Sequence, residues 1–319
     1  MAPLTLPVLA RGSASLLACA AAAGIIAGCA AGVHVRTGQA NARTTLPAAT
    51  PTGSPRTSTP PASMTLAGVV PVIGASPARL AVQLAAAERA LTRVGVPAEV
   101  LVRSALVVQL ACLKLAARPG LADHVLHAVP SSWRAAVTAD VAATADLVAL
   151  TPPEPKLPPW RIVAARSQAA LRADYRTAQE ATDIGWSYLA AINFVETDFG
   201  RIAGPSSAGA QGPMQFLPAT WAIYGHGDIH NPRAAIMAAA RFLRAHGGSE
   251  EIGRAIYAYN PSLRYVDAVQ RYAARLRADR HAFTSYYNRQ IIYRFGDGWA
   301  WLPPGYGTRR TVHAILVHP

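Results

Sequence analysis

Cysteine, acidic and aromatic residues are all scarce in this sequence. Of 319 residues, three are Cys, 17 are Asp or Glu, and 7% are aromatic. Cys19, Cys29 and Cys112 do not form a zinc-finger spacing, and no Cys/His pair or G-x-S-x-G is arranged as a nucleophile. There is no dense Lys/Arg block and no aromatic recognition motif, which makes nucleic acid the weakest choice of partner. Strand-like alternation never persists beyond a few residues, so the sequence predicts an all-α, mainly helical fold. The scarcity of acid leaves 30 Lys and Arg in excess and a formal net charge of +13, which suits an acidic partner such as a cell wall or anionic lipid. Most of those bases are single, scattered Arg, for which a solvated surface is the bland reading.

The N-terminal stretch is apolar but short. After Arg11, Ala and Leu dominate Ser13 to Gly28, and the run ends in Ile26-Ala27-Gly28-Cys29. This reads as an export signal over 1–28 rather than a stable membrane span. Its last four residues resemble the lipobox of bacterial lipoproteins, in which the Cys takes a lipid on its sulfur. On that resemblance Cys29 is the lipidation site and the membrane is reached through a lipid anchor. The alternatives are an ordinary cleaved signal or an uncleaved anchor. Residues 36–65 are rich in Thr, Pro, Ser, Ala and Gly, and cannot bury enough apolar surface to offset ordering entropy. Residues 29–65 therefore read as a disordered tether. Cys112, in an apolar run, reads as a small buried hydrophobe.

Helical periodicity begins at Ser76-Pro77, an N-cap hydroxyl followed by Pro at the first helical position. A second helix is expected over 97–117, closed by Pro119-Gly120, and one or two more over 121–149. Together, residues 66–150 read as a small helical subdomain. The Pro-rich segment 151–160 is the candidate connector. Further helices are expected over 164–181, 186–199, 231–246, 249–259 and 263–276, within a second domain spanning 161–307. The chain after Phe283 reads as aromatic and irregular, and 308–319 as a tail without an assigned role.

One carboxylate breaks the pattern. On a helix from Trp186, Leu189, Ile192 and Glu196 share one face, so Glu196 falls in the apolar stripe. Burial there would raise its pKa and keep it protonated near neutral pH, as a proton donor requires. The bland alternative is a helix-end Glu, exposed or paired to Arg201. Four glycines, Gly200, Gly204, Gly209 and Gly212, then bracket a run of small residues that lets a ligand approach the backbone. The spacing is not that of a phosphate loop. Gln215 follows, offering both a donor and an acceptor. The nearest other acid, Asp198, is two residues on and points away from Glu196 along a helix, while Asp183 and Asp228 lie in loops. No second carboxylate is placed for a two-acid glycosidase. His226 and His230 are four apart but flanked by glycines, and read as solvated loop histidines; no metal site is expected.

The segments VETDFGR, GAQGPMQFLPATW, GDIHNPRAAIMAAARFL and AIYAYNPSLRYVDAVQRYA, in that order, resemble lytic murein transglycosylases of the lysozyme superfamily, and among them membrane-bound type-B-like proteins of actinobacteria. The resemblance runs from about Trp160 to Tyr306. It implies a lysozyme-like domain without cofactor, acting on peptidoglycan glycan strands, in the company of enzymes of cell-wall synthesis or hydrolysis. Glu196 would be the single catalytic acid/base. Thr197, Met214 and Gln215 would border the glycan, as would Tyr259-Asn260 opposite the acid and Ser206 and Ser207 on the adjoining loop. Tyr257 and Tyr265 would either stack on sugars or pack in the core. The implied reaction cleaves between N-acetylmuramic acid and N-acetylglucosamine with a 1,6-anhydro product. A muramidase would use the same Glu196 with a bound water; a non-catalytic peptidoglycan-binding lipoprotein is the other alternative, and the presence of Glu196, Gln215 and Asn260 argues against it.

Overall fold

The structure, a computed structural model, describes residues 70–319. The expected signal, the Cys29 lipidation site and the tether over 29–65 lie outside the described residues. The fold is mainly α. Four helices come first: α1 (Pro77–Thr92), α2 (Ala98–Ala116), α3 (Pro119–Ala128) and α4 (Ser131–Ala149). A two-residue strand, β1 (Arg161–Ile162), precedes α5 (Gln168–Thr182) and α6 (Trp186–Thr197), and β2 (Ile202–Ala203) pairs back with it. Then come α7 (Pro218–Tyr224), α8 (Pro232–Ala245), α9 (Ile252–Tyr259), α10 (Leu263–Ala278) and α11 (Ala282–Tyr287). Strands β3 (Ile291–Phe295), β4 (Gly298–Leu302) and β5 (Ile315–Val317) close the chain.

Local chemistry accounts for most boundaries. The Ser76, Ser167, Asn231 and Ser262 side chains each accept the backbone N–H three residues on, at the starts of α1, α5, α8 and α10. Ser167 explains why α5 begins later than periodicity suggests. Pro119, expected to close α2, instead opens α3 from the first helical position, where its missing N–H leaves no bond unmade.

The region after Phe283 departs from expectation. It holds α11 and an antiparallel sheet ordered β3-β4-β5. IIYRF and GWAWL are short β-branched and aromatic runs, and Gly296, at φ 53°, makes the two-residue turn between them. The presumed tail supplies β5, with Trp299 opposite Val317 and Trp301 opposite Ile315. A three-residue strand is too short to show in sequence.

Helix α10 is the axis of the molecule and packs on α4, α6 and α9. One hydrophobic core runs from Ile73 in the approach to α1 through to Val317, so α1–α4 share it with the later helices. The Pro-rich connector marks no break in that core. It is tied down where Glu154 exchanges backbone bonds with Arg294 and Gly296 and where Trp160 donates its indole N–H to the Pro205 carbonyl.

The two parts also meet through buried polar groups. Asp140 on α4 accepts from the Arg289 guanidinium at 2.6 Å and from the Tyr286 hydroxyl at 2.7 Å. Glu88 on α1 accepts from Arg275 at 3.1 Å. The Gln109 side chain pairs with the backbone of Gln290 through two bonds of 2.7 and 2.9 Å. Free Cys112 is buried beside this cluster, and burial pushes its thiol up to about 12.

Candidate active site

Helix α6 carries Glu196 one residue before its end. Every residue from Leu189 to Thr197 is buried, so the helix is enclosed on all sides and not only along the stripe that periodicity reveals. Glu196 has no exposed surface. Its Oε1 accepts a 2.6 Å hydrogen bond from the Tyr265 hydroxyl on α10, and its Oε2 is buried without a partner. Burial lifts its pKa from 4.5 to about 8, against the opposing pull of the Tyr265 hydrogen bond. The group is therefore a carboxylic acid at neutral pH, and Oε2 is the oxygen left to carry a transferable proton.

The helix then stops abruptly. Asp198, Phe199 and Gly200 all take left-handed backbone angles, with φ of 50°, 63° and 81°. Arg201 pairs with Asp198 at 3.1 Å and not with Glu196. It also donates to the carbonyls of Arg289 and Tyr287, which fixes the end of α6 to the chain between α11 and β3. Burial raises the Asp198 carboxyl to about 6, opposed by Arg201 and Arg289. Asp183 ends α5 and accepts from the Ser249 hydroxyl, while Asp228 holds an exposed turn by accepting the His230 backbone N–H at 2.9 Å. The two influences on Glu196 are burial and a phenol; a neighbouring carboxylate is not among them. Among the described residues, no group of three His, Cys, Asp or Glu side chains gathers to hold a metal ion.

The loop after β2 is built from short hydrogen-bonded turns. Ser206 Oγ accepts the Ala210 N–H at 3.0 Å, and Gln211 and Phe216 exchange backbone bonds of 2.8 and 2.9 Å. Those two residues clasp the four-residue tip Gly212-Pro213-Met214-Gln215. Gly212 is obligatory there. Its φ is 73°, and a Cβ would stand 2.1 Å from the Ile229 carbonyl oxygen. Gln215 is also left-handed, at φ 48°, and its side-chain Nε2 donates to the Gly212 carbonyl at 2.9 Å.

Tyr259, at the end of α9, donates its hydroxyl to the Met214 carbonyl at 2.5 Å. Burial and the nearby Glu196 charge hold its pKa well above the ordinary value, so it remains a neutral phenol. The structure thus gathers Glu196, Tyr265, Tyr259 and the Gly212–Gln215 tip. Asn260 follows directly and is half-buried, while Ser207 is exposed on the loop.

Three of the residues expected to border the glycan are engaged within the protein. The Met214 side chain is fully buried in the core, and only its carbonyl serves the site. Thr197 is equally buried; its hydroxyl donates to the Pro213 carbonyl and accepts the Gly200 N–H, so it stabilises the end of the helix. The Ser206 hydroxyl oxygen accepts the Ala210 N–H within the turn. Tyr265, left between stacking and core, is a core residue whose hydroxyl bonds the acid. Tyr257 is exposed on α9. Sequence reasoning missed Asn193 and Tyr175, whose side chains bond each other behind α6 at 2.6 Å. The available signal was an amide between Ile192 and Phe194 in a helix otherwise apolar at that level.

Residues 175–281 match a family model described as Transglycosylase SLT domain. The matched segment contains Glu196, Tyr265, Tyr259 and the Gly212–Gln215 tip. It supports transglycosylase action on peptidoglycan in general terms. Neither the curated proteins nor the solved structures searched give a match.

Proposed function

We propose that the protein is a lytic transglycosylase that cleaves the β-1,4 bond between N-acetylmuramic acid and N-acetylglucosamine in peptidoglycan, with Glu196 as its one acid/base. The observation carrying this reading is the state of Glu196: wholly buried, raised to about 8, held by a phenol, and with one oxygen unpartnered. A glycan reaches Oε2 by displacing part of its cover. Protonated Glu196 gives its proton to the glycosidic oxygen as the C1–O bond breaks. The muramic acetamide stabilises the cationic centre, as in substrate-assisted glycosidases. Glu196, now a carboxylate, takes the proton of the C6 hydroxyl, whose oxygen closes on C1. The enzyme returns to its starting state, and water and metal are not consumed. Tyr259, Asn260 and Gln215 orient the sugars. The protein acts outside the cytoplasm, held to the membrane by lipid on Cys29, alongside enzymes that build or cut the wall.

The test is incubation with purified sacculi and mass spectrometry of the released fragments. The proposal expects anhydro-muramic ends, one water lighter than hydrolytic ends. Hydrolytic ends would make the protein a muramidase using the same acid. Glycan binding with no release would make it a binding lipoprotein. Glu196→Gln is expected to abolish release while retaining affinity for glycan.

A further inference from the structure

We infer that Asn193 is a positioning residue that fixes the Gly212–Gln215 tip relative to the acid helix; the inference rests on the reading of Glu196 and Gln215 as glycan-contacting groups. Asn193 precedes Glu196 by three residues on α6 and has no exposed surface. Its Oδ1 accepts the Tyr175 hydroxyl at 2.6 Å, and its Nδ2 donates to the Pro213 carbonyl at 2.8 Å. Thr197, one turn on, donates its hydroxyl to the same carbonyl at 2.5 Å.

The tip is thereby held at three successive carbonyls. Gly212 O receives the backbone N–H and the side chain of Gln215, Pro213 O receives Asn193 and Thr197, and Met214 O receives Tyr259. The two donors to the middle carbonyl come from α6, the helix that carries Glu196. Asn193 and Thr197 together therefore tie the tip that carries Gln215 to the acid helix, and Asn193 alone also links it to α5 through Tyr175. An amide meets both needs at this position: its oxygen accepts a phenol while its nitrogen donates to a carbonyl. A carboxylate offers no donor, and Leu offers neither group. Tyr175, on α5, locks the amide in the required orientation.

This arrangement should govern turnover beyond its contribution to stability. A displacement of about 1 Å between groups that position a substrate costs on the order of 10²-fold in rate. The test uses the full-length protein and compares Asn193→Leu, Tyr175→Phe and, as a stability control remote from the site, Leu110→Ala. Each is assayed for kcat and KM on soluble glycan strands and for glycan affinity, at a fixed interval below its own melting midpoint. Asn193→Leu is expected to lower kcat by about 10²-fold and weaken glycan affinity, with the alkaline limb of its pH profile unmoved because the Tyr265–Glu196 bond is intact. Tyr175→Phe shows a smaller loss in the same direction, and Leu110→Ala keeps wild-type kcat despite lower stability. Asn193→Leu turning over and binding within a few-fold of wild type overturns the inference, as does Leu110→Ala losing as much. If Asn193→Leu does not fold, Tyr175→Phe decides in the same two readouts. A wild-type protein that binds glycan without cleaving it defeats the catalytic reading, and the affinity of the variants then decides the inference on its own.

Discussion

Removing the acid should make the folded protein more stable at neutral and alkaline pH. Glu196 has a pKa of about 8 when folded and an ordinary value of 4.5. Below pH 4.5 both states hold the proton and the group favours neither. Between 4.5 and about 8 the unfolded chain releases the proton while the folded chain keeps it. Stability then falls as pH rises, by about 1.4 kcal/mol per unit. Above about 8 both states are ionised and the slope vanishes. The accumulated penalty approaches roughly 5 kcal/mol, as an upper bound on a buried group. Glu196→Gln keeps an acceptor for the Tyr265 hydroxyl but cannot ionise, so it lacks this penalty. Other buried acids, Glu88, Asp174 and Asp198, contribute to both proteins and cancel in the difference. The assay is urea unfolding of wild type and variant at intervals from pH 4 to 9. The variant is expected to gain on wild type steadily from about pH 4.5 and to hold a constant advantage above about 8. A stability difference flat across that range would refute the buried-acid account, because a Glu titrating at its ordinary value produces no such slope.

Tyr265→Phe removes the hydrogen bond that favours the Glu196 carboxylate. The pKa of the acid should rise further, by about one unit, since a bond to a charged group is worth roughly 1.5–3 kcal/mol and only its charge-dependent part counts. The alkaline limb of the rate profile should move up with it, which pH–rate curves on sacculi would show. Asp140→Asn leaves the Arg289 guanidinium buried against a neutral amide. The expected cost is about 3–5 kcal/mol in urea unfolding, and the paired substitution Asp140→Leu with Arg289→Met should recover only part of it, because the buried Tyr286 hydroxyl and Arg275 lose the same carboxylate.

Much of the helical frame was legible because it is written in local signals. Ser76-Pro77 and Asn231-Pro232 open helices by satisfying or omitting N–H groups that the helix cannot pair, and these effects need no tertiary context. Signals failed where the decisive partner was distant. Pro119-Gly120 has the composition of a stop, yet Pro is equally at home at the first position of the next helix, and the chain uses it there. β5 exists because β4 offers it an edge, which three residues of sequence cannot announce. The connector over 151–160 has the composition of a domain boundary. Composition does not reveal that Asp140 finds Arg289 or that Gln109 finds Gln290, and those pairings join the first four helices to the rest.

The candidate site divides along the same line. Glu196 drew attention as one polar residue in an apolar helical stripe, but periodicity alone was equally compatible with an ordinary helix-end Glu, and the Gly-rich loop and motifs that follow gave it weight. The groups that give the anomaly its chemistry were ambiguous for a physical reason. Tyr265, Met214 and Thr197 are amphipathic or small, and a sequence pattern cannot say which end of such a residue faces the acid. The structure answers atom by atom: Tyr265 gives its hydroxyl to the acid, the Met214 carbonyl accepts from Tyr259, and the Thr197 hydroxyl donates to the Pro213 carbonyl. Asn193 has the same signature as Glu196, a polar residue on a helix buried all round, and was passed over because an amide carries no charge to draw attention. Burial penalises an unpaired amide as well as an acid. A polar residue in an enclosed helix therefore implies a buried partner whatever its charge, as Tyr265 is for Glu196 and Tyr175 for Asn193.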